Sequence, residues 1–265
     1  MKQLEYENNV YSSKALAVAP LARLLPSLSF YWRFIRVVLQ ASSKARRGLY
    51  TDMDWVESSL ELFGYLEQVG LRIHVSGVEH IHNLAGPSVI VGNHMSILET
   101  LLLPGIIQPI RPVTFVVKQS LLDYPVFKHI MRSRDPIAVS RTNPRQDLKV
   151  VMDEGLRKIQ EGKSIIVFPQ TTRSHVFSAE QMSSIGVKLA KKADVPIIPL
   201  ALKTDAMRNG SYLKDFGTVD RRKAIFFAFA PPLRVVGKGN EEQEMVNRFI
   251  TEKLQEWGAD PLPGS

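Results

Sequence analysis

From Leu71 onward, short apolar runs rich in Val and Ile alternate with stretches of helical periodicity. That alternation constrains the fold more than any other feature of the chain. The strand-length runs are Leu71–Val75, Val89–Val91, Val113–Val117, Ile137–Ser140, Ser164–Phe168, Ile197–Leu202 and Ala224–Ala230. They are too short for buried helices and are bounded by turn-forming or polar residues. Between them, Asp147 to Gln160 places Leu148, Val151, Met152, Leu156 and Ile159 on one helical stripe, and Gly162 follows as a stop. Ser178-x-x-Gln181 reads as a capping box that opens a helix with Met182, Ile185 and Leu189 inward. Glu241 to Trp257 closes the chain as an amphipathic helix. Strands alternating with helices imply an α/β fold, with a largely parallel central sheet of about seven strands flanked by helices.

The first 70 residues follow another pattern. Asn8 to Thr51 holds no acidic residue but contains Lys14, Arg23, Arg33, Arg36, Lys44, Arg46 and Arg47 among many Leu, Val and aromatic side chains. The longest uncharged run there, Leu24 to Trp32, has nine residues. A bilayer-spanning helix needs about 20, so this segment does not span. Pro20 and Pro26 break or kink any helix through it. A second amphipathic run, Asp52 to Val69, carries Trp55, Leu60, Phe63 and Leu66, and the two are expected to pair as an amphipathic helical hairpin. A basic amphipathic stretch suits a membrane surface, an organelle transit peptide or a helix packed on its own domain. Clustering of Tyr31, Trp32 and Phe34 favours the membrane surface. A secretory signal is not expected, because Glu5 and Glu7 precede the segment and Arg23 interrupts it. The expected organisation is therefore residues 1–70 as membrane-surface helices and residues 71–265 as an α/β domain.

Composition narrows the chemistry. The 265-residue chain has no cysteine, which removes thiolate nucleophiles and cysteine metal sites, and its six histidines show no metal-ligand spacing. A net charge of +8 points to an anionic partner. Nucleic acid fits poorly, because the excess charge lies in an apolar segment without an aromatic-basic platform.

Candidate catalytic groups sit where strands end. Val89–Val91 runs into Gly92, Asn93 and His94, and in open α/β sheets strand exits collect ligands and reactive side chains. A neutral imidazole there can accept a proton. Glu99 lies five residues on. That offset is about 140° on a continuous helix, so the two side chains meet only if His94 precedes the helix and Glu99 lies in its first turn. Ser96-x-x-Glu99 is also a capping box, in which Glu99 reaches back over the helix start, and both roles can coexist. Arg141 and Arg173 follow two further strand candidates, and arginine forks suit phosphate.

Four blocks in order carry a resemblance. They are Asn93-His94-x-Ser96-x-x-Glu99, Ile137-Ala138-Val139-Ser140-Arg141, Phe168-Pro169-Gln170-Thr171-Thr172-Arg173-Ser174, and Val195-Pro196-Ile197-Ile198-Pro199-Leu200. With Lys118-x-x-Leu121-x-x-x-Pro125-Val126-Phe127, they resemble the glycerolipid acyltransferases over Leu71 to Leu233. The resemblance implies acyl transfer from acyl-CoA or acyl carrier protein to a lysophospholipid hydroxyl, foremost 1-acylglycerol-3-phosphate. It implies His94 as base with Glu99 behind it, and substrate binding by Asn93, Ser96, Lys118, Arg141, Gln170, Thr171, Thr172 and Arg173. It implies no metal or bound cofactor, an anionic phospholipid surface as partner, and a peripheral location on the cytoplasmic face of the inner membrane. Other lysolipid acceptors, such as a lyso-aminolipid or lysophosphatidylglycerol, and a non-catalytic lipid-binding protein on the same fold are the alternatives. Several positions depart from the family pattern. Glu99 stands for Asp, Gln170-Thr171 for Glu-Gly, Asp135 for Gly, and Met182 to Gly186 for a Phe-Lys-x-Gly run. These departures bear on the acceptor more than on acyl transfer.

Overall fold

β-Branched side chains pack well on a pleated surface, and the Val- and Ile-rich runs accordingly form the sheet. A computed structural model of the chain describes residues 3–14, 17–170, 172–210 and 216–258. Among these residues the elements in order are β1 (Tyr11–Ser12), α1 (Pro20–Leu24), α2 (Pro26–Arg46), α3 (Asp52–Gln68), β2 (Ile73–Ser76), α4 (Glu79–His82), β3 (Val89–Gly92), α5 (Leu98–Ile107), β4 (Val113–Lys118), α6 (Phe127–Ser133), β5 (Ile137–Val139), α7 (Pro144–Gln160), β6 (Ser164–Val167), α8 (Ile185–Ala193), β7 (Ile197–Lys203), β8 (Ile225–Phe229) and α9 (Asn240–Glu256).

The strands form one open sheet in the order β1-β2-β8-β7-β3-β6-β4-β5. Strands β7, β3, β6, β4 and β5 run parallel. β8 is antiparallel to β7, β2 is parallel to β8, and β1 is antiparallel to β2. The sheet is thus mixed and eight-stranded, where the sequence led us to expect a largely parallel one of about seven strands. The reason lies in the connection from β7 to β8, whose described residues contain no helix to carry the chain back across the sheet. The eighth strand, β1, is a two-residue edge with no periodicity to read. Because the five parallel strands share a direction, residues just beyond β3, β4, β5, β6 and β7 gather at one end of the sheet.

The helices differ from expectation in instructive ways. Pro20 and Pro26 occupy the first positions of α1 and α2, so each proline opens a helix rather than kinking one. Ser178 makes no cap. A short 3-10 turn covers Ala179–Gln181, and α8 begins only at Ile185. α8 then rests on β3 so closely that a Cβ on Gly186 would lie 2.6 Å from a Val91 methyl. α3 starts with a reciprocal cap between Thr51 and Asp54.

α5 contains Pro104, which lacks an N–H and interrupts the helical ladder. Ser59 of α3 repairs the break. Its hydroxyl donates to the Leu101 carbonyl at 2.7 Å and accepts from the Gly105 N–H at 2.9 Å. One apolar core runs from Phe30 and Phe34 on α2, through Leu62, Phe63 and Leu66 on α3, to the central strands.

α2 also corrects the picture of its two faces. Leu28, Trp32, Ile35 and Leu39 form an exposed stripe at helical spacing, and Trp32 is 78% exposed. Tyr31 and Phe34, by contrast, turn inward: Tyr31 Oη donates to the Gly217 carbonyl at 2.6 Å, and Phe34 is buried. Of the basic residues, Arg36 pairs with Glu61 and Lys44 with Asp54, both on α3. No described helix is long and apolar enough to cross a membrane.

Candidate active site

β3 delivers His94 to the crowded end of the sheet. Just before it, the Asn93 amide donates to the Leu202 carbonyl at 2.8 Å and accepts from the Leu202 N–H at 2.9 Å. Both of its polar atoms are committed to β7, so Asn93 fastens the strand exits together instead of facing the cavity. His94 is then gripped by the loop after β6. Its N–H donates to Gln170 Oε1 at 2.6 Å, and its carbonyl accepts from the Ser174 N–H at 2.9 Å. The Phe168 ring stacks on the imidazole, with centroids 4.6 Å apart and planes 4° from parallel. These contacts fix the ring plane.

Glu99 lies in the first turn of α5 and His94 precedes it, the arrangement that the helical pitch requires. The Glu99 side chain is fully buried. Its Oε1 lies 3.2 Å from His94 Nδ1 and accepts from the N–H groups of Met95 at 2.5 Å and Ser96 at 2.8 Å. Its Oε2 accepts from Ser96 Oγ at 3.0 Å and Thr204 Oγ1 at 2.8 Å. Burial opposes the charge on this carboxyl. The His94 hydrogen bond and charge, with the Ser96 amide, outweigh burial and hold it below its usual value of 4.5. An ionised carboxylate can only accept, so the proton between the two groups sits on His94 Nδ1, and Nε2 is the ring nitrogen that does not face Glu99. The box read from Ser96-x-x-Glu99 forms only in part: Glu99 accepts from the Ser96 N–H, but Ile97, not Ser96, directly precedes α5, no side chain caps the helix, and Ser96 Oγ accepts from the Leu98 N–H. Ser96 is buried against Glu99 and Thr204, and its hydroxyl serves the carboxylate.

His94 opens into a cavity of about 790 Å³ whose lining includes Lys118, Arg141, Thr172 and Arg173 beside it, and Trp55, Leu62, Val117, Ile130 and Met131. Lys118 ends β4, Arg141 follows β5, and Thr172 and Arg173 follow β6. Asp147, in the first turn of α7, accepts from the Ser140 and Arg141 N–H groups at 2.8 and 2.7 Å and pins Arg141 at φ +61°. Partial burial and the like charge of Arg173 lower the Arg141 guanidinium from its usual value, against the pull of Asp147. Gln170 is buried and braces the His94 backbone; Thr171 lies outside the described residues.

Sequence reasoning had assigned no role to Phe168, Asp147 or Thr204. Thr204 was within reach of the strand-exit argument, since it directly follows β7. Among the described residues no three His, Asp or Glu side chains converge as a metal site requires.

A family model described as Acyltransferase matches residues 72–203. The chain is 28% identical over 241 residues to the 1-acyl-sn-glycerol-3-phosphate acyltransferase of Pseudomonas aeruginosa, with 88% of each chain covered. It is 31% identical over 146 residues to a probable 1-acyl-sn-glycerol-3-phosphate acyltransferase of Mycoplasma pneumoniae, covering 54% of this chain and 53% of the other. In fold it is similar to the crystal structure of the 1-acyl-sn-glycerophosphate acyltransferase PlsC from Thermotoga maritima, with a TM-score of 0.69, 19% identity, and 91% of this chain and 98% of that one covered. These findings make the protein an O-acyltransferase. More narrowly, the chain belongs to the glycerolipid acyltransferase family.

Proposed function

We propose that this protein transfers a fatty acyl group from acyl-CoA or acyl carrier protein to the free hydroxyl of a lysophospholipid, foremost 1-acylglycerol-3-phosphate, giving phosphatidic acid. The observation that carries the reading is the His94–Glu99 pair beside a cavity that combines arginines with an apolar lining. His94 Nε2 takes the hydroxyl proton as the oxygen attacks the thioester carbon. The C–S bond then breaks, and the thiolate leaves with the proton that the imidazolium returns. Glu99 holds the Nδ1–H tautomer and stabilises the imidazolium, the part a carboxylate plays in a Ser-His-Asp triad. The nucleophile belongs to the substrate, so no acyl-enzyme forms. Arg141 and Arg173, with Lys118 and Thr172, receive the phosphate, while acyl chains occupy the apolar part of the cavity. The relatives named for 1-acyl-sn-glycerol-3-phosphate support this acceptor.

Residues 1–70 form the part that rests on an anionic membrane surface, and residues 71–265 the part that transfers acyl groups. The exposed stripe Leu28, Trp32, Ile35 and Leu39 supports peripheral attachment, on the cytoplasmic face of the inner membrane. A second reading, a different lysolipid headgroup, is favoured by Gln170, whose neutral amide stands at a buried position beside His94 where the family pattern has a carboxylate. Incubating the purified protein with acyl-CoA and a panel of lysolipids, with products read by mass spectrometry, separates the two. Preferred conversion of lysophosphatidate supports the first; preferred conversion of a lyso-aminolipid or lysophosphatidylglycerol supports the second.

A further inference from the structure

We infer that Thr204 is a positioning residue for the reaction: its hydroxyl, supplied by the end of β7, sets the plane of the Glu99 carboxylate and thereby the tautomer of His94. The inference rests on the reading of His94 as the base.

A glutamate has one more rotatable bond than an aspartate, and its terminal torsion is broad. At Oε1 the carboxylate is held by the Met95 and Ser96 N–H groups, which belong to the same loop as His94. Those two donors fix one oxygen and leave the carboxylate plane free to tilt about it. At Oε2 the donors are hydroxyls. Thr204 Oγ1 lies 2.8 Å from Oε2, and Ser96 Oγ lies 3.0 Å from Oε2 and 2.9 Å from Thr204 Oγ1. Ser96 Oγ also accepts from the Leu98 N–H at 3.1 Å.

Two hydroxyl protons serve these three contacts, and the ionised carboxylate can only accept. With Ser96 Oγ donating to Thr204 Oγ1, the Thr204 proton is the one left to point at Oε2. Of the donors to Glu99, Thr204 is the one that comes from a different strand. It directly follows β7, which pairs with β3 in the register Gly92↔Leu200. Thr204 is fully buried. The sheet therefore anchors the second oxygen, so that the first faces His94 Nδ1. This also accounts for a glutamate serving at a position where the family pattern has aspartate: the longer side chain needs a second anchor, and β7 provides it.

The test uses Thr204→Val, which keeps the shape and removes the donor, with Thr204→Ser as the conservative variant. Loss of one hydrogen bond to a charged group should lower kcat by about tenfold with KM for both substrates little changed. Thr204→Ser should restore most of kcat. Nitrogen-15 NMR of the histidines, with His94→Ala for assignment, should show His94 as the Nδ1–H tautomer in the native protein and a mixture in Thr204→Val. In Glu99→Gln, adding Thr204→Val should cost far less than it does alone, because the two act through one carboxylate. A Thr204→Val protein with native kcat and an unchanged tautomer would overturn the inference. So would an equal fall in Thr204→Val and Thr204→Ser, or full additivity with Glu99→Gln. Failure of the underlying reading looks different: His94→Ala would then keep its activity, whatever Thr204 does. If Thr204→Val does not fold, Thr204→Ala read by the same tautomer signal takes its place.

Discussion

Glu99 is the residue on which structure and chemistry converge. It reaches back over the start of α5 and also faces His94, so in the mechanism proposed above stability and catalysis draw on one carboxylate. Glu99→Gln separates the two. Gln keeps an acceptor for the Ser96 amide but loses the charge, so kcat should fall by roughly 10² or more, the scale of acid–base catalysis, and Asp should restore part of it. Full activity in Glu99→Gln would leave capping as its only role. Stability carries a second signature. A carboxyl held below its usual value of 4.5 in the folded state stabilises the fold fully above that pH, and the contribution is lost as pH falls through the lower folded value. Glu99→Gln should therefore flatten the acid limb of stability against pH. An acid limb of unchanged slope would contradict the ionised, hydrogen-bonded state described here.

At the scale of elements, the helix that carries Glu99 depends on its seat against α3. Gly105 sits where a Cβ would meet Ser59 Oγ at 2.8 Å and Leu60 Cδ2 at 3.2 Å. Ser59 Oγ cannot swing away without abandoning the Leu101 carbonyl and the Gly105 N–H. In an open helix Gly→Ala stabilises by roughly 1 kcal/mol. Here the clash should win, with a net loss of about 1–3 kcal/mol, seen as a lower urea midpoint. Stabilisation by Gly105→Ala would show that the α3–α5 contact is loose. Much of this level was legible in the sequence. The seven apolar runs became strands within a residue or two, because β-branched runs bounded by turn residues carry that information locally. Strand direction was not legible, since a hydrophobic pattern reads the same in either orientation. Nor was the Ser59 repair, because it joins two helices across 46 residues of sequence. At the site, His94, Arg141 and Arg173 were visible as strand-exit residues, and Glu99 through its offset from His94 at the start of a helix. The inward commitment of Asn93 and Ser96 was not, since it depends on how closely β3 and β7 approach.

Among the described residues an exposed apolar stripe runs along α2, and three of the helix's cations, Arg33, Arg36 and Lys44, are engaged with α3. Attachment to vesicles should therefore depend on the apolar stripe, with charge in support. Replacing Leu28 and Trp32 together by Ser should reduce co-sedimentation with anionic vesicles several-fold, while activity on detergent-dispersed substrate is retained. In the native protein, Trp32 fluorescence should shift to the blue when vesicles are added. Salt should weaken binding, because surface attraction is screened over roughly 8–10 Å. Equal sedimentation of the double variant would place the membrane contact elsewhere.

The central claim is that His94 acts as a base on a lysophospholipid hydroxyl. Its most direct test is the turnover of His94→Ala against the native protein, with acyl-CoA and 1-acylglycerol-3-phosphate, and folding verified by circular dichroism. The account predicts native formation of phosphatidic acid and a loss of roughly 10² or more in kcat for the folded variant. A folded His94→Ala protein with near-native turnover would contradict it.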